Sequence, residues 1–307
     1  MHSTTFKKCS AFSYKGRVIN QNPLWRDNQL EITAVMVKEL REMTGAGIMD
    51  CKKVLAECAG DQEKAVELLR IKGAQKAESR AGRTATEGIV VCQVSPERDC
   101  GALVEINSET DFVSRGEVFR AFALPLAGIA LSIDEDCEDL SVLNGLPFDD
   151  SGKTVEDARQ EMLLKISENI SIRRMTVIKA ATGSKIGSYV HRERLGVMVE
   201  IAGGDSDTIA DSMAVHVAVM KPKWVDVDGI PADVIEGERR IYLSQAQETG
   251  KPEFVLQKIV DGKINKFSNE NTLMNQPYYD DEDKKVSTLL KESGVSVTRF
   301  CLMDLGK

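Results

Sequence analysis

The sequence is poor in the residues that do covalent chemistry. Its 307 positions hold three histidines, His2, His191 and His216, and seven cysteines at 9, 51, 58, 92, 100, 137 and 301, none spaced Cys-x-x-Cys. That spacing gives no zinc or thioredoxin-type site, and an odd count in a chain of this length points to reduced thiols in a cytoplasm-like compartment. No apolar run reaches about 18 residues, which excludes a membrane-spanning helix. Aromatics make up only 5% and the formal charge is -8, a balance that argues against general nucleic-acid binding and favours a protein partner. No G-x-x-x-x-G-K-[ST] loop is present. Gly45-Ala46-Gly47 is a fragment of a dinucleotide fingerprint, with Asp50 at the third glycine position and no strand before it. The expectation is no direct nucleotide binding, no cofactor and no resident metal.

What remains is a 42% hydrophobic, 29% charged chain, ample for a packed core. Residues 1–30 carry five basic residues against Asp27, a net +4, while the remainder, with 35 basic and 47 acidic residues, carries -12. An organellar targeting segment and a disordered extension both fit that stretch, and its lack of helical periodicity favours the extension.

From Thr33 apolar residues recur at helical spacing: Met36, Val37, Leu40 and Met43, then Cys51, Val54, Leu55 and Cys58, then Ala65, Leu68 and Leu69. Thr44-Gly45-Ala46-Gly47 and Ala59-Gly60-Asp61 separate the three helices, and the third apolar stripe ends at Lys72-Gly73, with 74–83 as a helical tail or linker. Cys51 and Cys58 fall on the core face as packing thiols. A hairpin follows over 89–106, then a helix over 118–132, a helix opened by a Thr154/Asp157 capping box, and a strand over 170–179. Helical patterns at 231–248 and 253–267, joined by a turn at 249–252, form an antiparallel hairpin; a helix at 286–292 and a strand at 295–303 close the chain.

The chain repeats itself. Gly101-Ala102-Leu103-Val104-Glu105-Ile106 matches Gly196-Val197-Met198-Val199-Glu200-Ile201, each after a strand-like segment and before a loop and an Ala-rich helix. Two related α+β units are expected. His216 lies in the second Ala/Val-rich helix and reads as a packed residue. His191, at a strand end, has no serine or cysteine visibly arranged with it.

Between a strand and a helix lies Thr110-Asp111-Phe112-Val113. Pattern alone favours Phe112 as a local core residue; the sharper reading is an exposed Asp-Phe tip that wedges a ring into a partner. With Val37-Lys38-Glu39-Leu40-Arg41, Thr44-Gly45-Ala46-Gly47-Ile48-Met49-Asp50-Cys51-Lys52-Lys53 and Glu168-Asn169-Ile170-Ser171-Ile172-Arg173-Arg174, this segment makes the chain resemble the elongation factor Ts family of bacterial type. His216-Val217-Ala218, Lys221-Pro222 and Gln276-Pro277 add to the likeness, which runs from about 31 to 305. The resemblance implies an α+β fold: a three-helix ubiquitin-associated-like bundle (31–83, with linker), two similar core subdomains (84–180; 181–230 with 271–307) and an inserted helical hairpin (231–270), with 1–30 outside it. It implies a cytoplasmic, non-enzymatic guanine-nucleotide exchange factor whose partner is elongation factor Tu. Thr110, Asp111, Phe112 and Val113 would dislodge the partner's magnesium, and Lys52, Ile166 and His191 would contact the partner. An adaptor that binds some other protein through the bundle, and a hydrolase built on His191, are the rival readings.

Overall fold

The computed structural model describes residues 32–80, 82–204, 207–248 and 252–307. The stretch 1–30, the centre of the 249–252 turn and part of the 74–83 linker lie outside the described residues. Three helices come first: α1 (Ala34–Thr44), α2 (Ile48–Glu57) and α3 (Gln62–Arg80). Thr33 caps α1 by accepting from the Met36 amide, and Gly45 ends it at φ 68°, a left-handed turn that favours glycine. Leu40, Cys51, Val54, Leu55, Ala65 and Leu69 close the bundle core, and burial pushes the Cys51 thiol up. Of the helical tail and the linker expected after Gly73, the helical tail is what forms, as α3 runs through Gly73 to Arg80. Gly73 serves packing: a Cβ there would lie 2.2 Å from Leu164 Cδ2, so its bareness lets α3 approach the core.

The core is a helix–sheet–sheet–helix sandwich. The first sheet comprises β1 (Glu87–Val94), β2 (Cys100–Ser108) and β3 (Ile170–Lys179), all antiparallel. Between β2 and β3 lie α4 (Asp111–Ser114), α5 (Glu117–Ala123), α6 (Leu126–Ala130), α7 (Leu140–Gly145) and α8 (Val155–Lys165). One helix was expected over 118–132; it is broken at Pro125, which cannot donate the amide a continuous helix needs there. Thr154 and Asp157 form the expected capping box of α8. The second sheet comprises β4 (Ser184–His191), β5 (Leu195–Ala202) and a late strand, with α9 (Asp207–Met220) after β5. The hairpin α10 (Ala232–Gln247) and α11 (Glu253–Asn271) packs its own core of Ala246, Leu256, Val260 and Ile264. A small ribbon, β6 (Pro277–Tyr278) and β7 (Asp281–Lys285), then α12 (Val286–Glu292), lead to β8 (Ser296–Asp304), which pairs with β5.

Each sheet packs helices on one face and the other sheet on the opposite face. Ile106, Phe119, Leu126 and Met175 fill the first helix–sheet layer, Val199, Met213, Val217 and Leu290 the second, and Leu103, Ile178, Ile186 and Met198 the seam between sheets. Central strands β2 and β5 are therefore buried on both faces, which explains why apolar residues follow one another without alternation in Ala102-Leu103-Val104 and Val197-Met198-Val199.

The sequence repeat is carried through in three dimensions. The last strand of each sheet bulges at the same place, with Arg173 of β3 unpaired opposite the Glu105–Ile106 step and Thr298 of β8 unpaired opposite the Glu200–Ile201 step. A Cβ on Gly101 would meet Met198 and Ile186, and one on Gly196 would meet their counterparts Leu103 and Val90. Buried Glu105 accepts from Arg174 Nε (2.7 Å) and from the Gly306 amide of the other unit (3.0 Å). Buried Glu200 likewise accepts from Arg299 Nε (2.6 Å) and the Ala181 amide (2.8 Å). Arg174 donates to the Asp304 carbonyl and Arg299 to that of Lys179. The units are thus related by an approximate two-fold axis, each central-strand glutamate reaching the backbone just past the last strand of the other sheet.

Candidate functional site

The loop after β2 turns at once into the four-residue α4. Thr110 caps it, its hydroxyl oxygen accepting from the Val113 amide at 3.4 Å. Val113 turns inward against the first core cluster, while Phe112 is 85% exposed, the most exposed large apolar side chain among the described residues. The pattern-alone reading of Phe112 as a core residue is therefore corrected: on so short a helix only one of two neighbouring apolar residues can face the sheet, and Val113 takes that place. Asp111 is also exposed and pairs with Arg115 at 3.0 Å.

The tip is braced from both sides. Ser108 Oγ donates to the Thr110 carbonyl at 2.8 Å and Ser114 Oγ to that of Asp111 at 3.0 Å. Glu168 accepts from the Thr110 amide (3.0 Å) and hydroxyl (2.8 Å), and Glu109 accepts in return from the Asn169 amide (2.6 Å). Asn169 Nδ2 donates to the Arg83 carbonyl at 2.9 Å, and Arg83 pairs with Glu109 at 3.4 Å. Sequence reasoning gave Glu168 and Asn169 only as part of a motif and assigned no role to them or to Glu109. The pairing of Ser108 with Ile170 in the β2–β3 ladder is the feature that places them side by side.

Ile166 caps the C-terminus of α8, half-buried against the first core. The α1–α2 turn abuts the same place, since a Cβ on Gly45 would fall 2.6 Å from Lys165 Cε. The bundle turn, Ile166 and the Glu168-braced tip therefore form one connected stretch. His191 ends β4, exposed, with its Nδ1 3.0 Å from the Tyr189 hydroxyl. Its turn continues through Arg192 and Glu193, both left-handed, and is tied to α5 by a two-pronged Arg120–Glu193 pair at 2.7 and 2.8 Å. That guanidinium holds the Glu193 carboxyl below its ordinary range. Lys52 is not brought to the tip. It lines a shallow groove with Ile32, Val37, Arg41 and Ile48, whereas Asp50, Lys53 and Val54 of α2 face the cleft against α8.

His216 is packed, as expected. Its Nδ1 accepts from the Tyr279 amide at 3.3 Å, which leaves Nε2–H to donate to Gln276 Oε1 at 3.1 Å, and burial lowers its pKa. Among the described residues all six cysteines are free, no cluster of His, Cys, Asp and Glu could hold a metal ion, and no helix is long and apolar enough to cross a membrane.

A family profile described as "Elongation factor TS" matches residues 109–307. Elongation factor Ts of Alkalilimnicola ehrlichii is 45% identical over 278 residues, covering 91% of this chain and 93% of that protein. Elongation factor Ts of Halorhodospira halophila matches equally, and that of Legionella pneumophila strain Lens is 46% identical over 279 residues, covering 90% and 92%. Likeness of that degree along nearly the whole length of both partners, joined to the fold just described, means that the chain belongs to the elongation factor Ts family.

Proposed function

We propose that the chain is a guanine-nucleotide exchange factor of translation elongation, which binds elongation factor Tu and promotes GDP release by disturbing its magnesium and phosphate site. The observation that carries this reading is Phe112, 85% exposed on a braced turn. A phenyl ring held in water contributes nothing to this chain's own core, and a partner's pocket would bury it. Thr110 and Val113 anchor the turn, Phe112 acts as wedge, and the Asp111 carboxylate carries negative charge toward the partner's cation. Magnesium supplies much of the local charge that holds the phosphates, so moving its ligands weakens nucleotide binding without a covalent step. In this reading the chain is not an enzyme, needs no cofactor, and works in the cytoplasm.

Lys52 on the bundle, Ile166 beside the tip and His191 on the second unit would spread the anchorage over three parts of the molecule. That arrangement matches a division into bundle (31–83), first unit (84–180), second unit (181–230 and 271–307) and inserted hairpin (231–270). The hydrolase reading finds a tyrosine rather than a serine or cysteine beside the His191 ring. Thermodynamic linkage requires the chain and GDP to lower each other's affinity for the GTPase by one factor. The test is release of labelled GDP from elongation factor Tu. Substoichiometric amounts of the chain should accelerate release, more weakly at high magnesium, and release that ignores the chain would refute the proposal.

A further inference from the structure

The tip's own residues hold it only in part: Val113 packs on the first core, and the Ser108 and Ser114 hydroxyls donate to the Thr110 and Asp111 carbonyls. A helix of four residues cannot hold itself, because nucleation fixes several dihedrals for one hydrogen bond. Phe112, almost fully exposed, adds no packing. Some other group has to fix the direction in which the ring points.

Glu168 meets that need. Both of its oxygens are engaged by Thr110, one by the amide at 3.0 Å and one by the hydroxyl at 2.8 Å. Because the Thr110 hydroxyl gives its proton to Glu168, its lone pairs are turned toward the Val113 amide, the first-turn donor of α4. The carboxylate therefore orients the cap, and the cap orients the helix. The β2–β3 ladder stops at Ser108–Ile170, and the next rung is built from side chains: Glu168 to Thr110 one way, Glu109 to the Asn169 amide the other. This rung sits where the sheet would otherwise fray.

We infer that Glu168 is a positioning residue for exchange: it holds the Thr110 cap so that Asp111 and Phe112 are presented in one orientation before the partner arrives. This role rests on the exchange reading above and assigns a residue that acts through the tip without touching the partner's nucleotide site. Preordering of this kind raises the rate of the productive step more than it changes anchorage by distant surfaces.

The test uses the full chain with Glu168→Ala, Glu168→Gln, Asp111→Ala and Phe112→Ala, singly and combined. In the free protein, Glu168→Ala should speed hydrogen exchange at the Thr110 and Val113 amides by about tenfold, the scale of one lost charge-assisted hydrogen bond, while the melting temperature holds. Maximal GDP release from elongation factor Tu should fall by roughly the same factor, with half-saturation moved by no more than about twofold. Glu168→Gln keeps one acceptor and should fall between wild type and alanine, and it also serves if the alanine variant folds poorly. In a background that carries both Asp111→Ala and Phe112→Ala, Glu168→Ala should slow release no further, since a residue that acts through the tip has nothing left to position. Unchanged amide exchange, or a full additive loss in that background, would overturn the role. If Phe112→Ala slows release and Glu168→Ala does not, Glu168 alone is rejected. If Phe112→Ala releases GDP as fast as wild type, the exchange role of the tip falls and the role of Glu168 falls with it.

Discussion

Among single residues, Phe112 and Asp111 separate function from stability most cleanly. Both are exposed, so Phe112→Ala and Asp111→Ala should each alter unfolding free energy by no more than about 0.5 kcal/mol, against about 3–5 kcal/mol for a buried phenylalanine such as Phe119. Both should slow GDP release from elongation factor Tu, and Asp111→Ala should act more on its magnesium dependence. Release at the wild-type rate with normal melts would remove the tip from the mechanism. His216 gives the converse case, a buried group with a structural role. Burial lowers its pKa below the ordinary 6.5, so the unfolded chain takes up that proton first as pH falls. Stability should be full above about pH 6.5 and decline as pH drops through the lowered value. His216→Gln should flatten that decline in thermal melts, and an unchanged slope would deny the linkage. The tip itself was legible as a motif, through resemblance and not through pattern, because alternation cannot say which of Phe112 and Val113 faces inward. The bracing by Glu109 and Glu168 was not, because their meeting depends on a pairing between strands 60 residues apart.

The limits of sequence reading at the scale of elements fall on glycine and proline. Gly73 ended an apolar stripe and left a helical tail and a linker both open, since a glycine that stops a helix and one that admits a neighbour read alike until Leu164 is placed. Pro125 lay in plain view inside a pattern read as one helix, and there local chemistry overruled periodicity. The hairpin α10–α11 was legible because two long amphipathic patterns need only each other. Its self-contained core implies that replacing 232–264 by a short linker leaves a cooperative transition with little change in melting temperature. The boundary matters. Phe267 packs on Trp224, Ser268 is buried and accepts from Thr272, so a deletion extended through 268 should lower the melting temperature clearly. Equal melting of the two deletions would mean that the hairpin's base contributes nothing to the core.

The whole molecule is organised by the repeat. A shared hexapeptide announced two units, but it could not announce that each glutamate within it reaches the backbone just past the last strand of the other sheet, because the recipients, Gly306 and Ala181, lie far outside the matching segment. The glutamates Glu105 and Glu200 are almost wholly buried, while their arginines stay about a third exposed, so solvent relieves one side of each pair and not the other. Removing a glutamate takes the acceptor from a part-buried backbone amide, Gly306 or Ala181, as well as from the guanidinium. Glu105→Ala and Glu200→Ala should therefore each cost on the order of 3 kcal/mol, toward the lower end for a broken buried pair. Because the two clasps share the same arginine and backbone arrangement, the two losses should be of one order, with Glu105→Ala the larger since its carboxylate also accepts from buried Asn107 Nδ2 at 3.1 Å. Asp261→Ala, which breaks the exposed Arg239–Asp261 pair, is the control and should cost no more than about 1 kcal/mol. Denaturant unfolding of the three variants decides the matter. If Glu105→Ala and Glu200→Ala fall in the range of the control, the seam is held by Leu103, Ile186 and Met198 alone and the clasps contribute no stability. If one loss is large and the other small, the two-fold relation is geometric without being energetic.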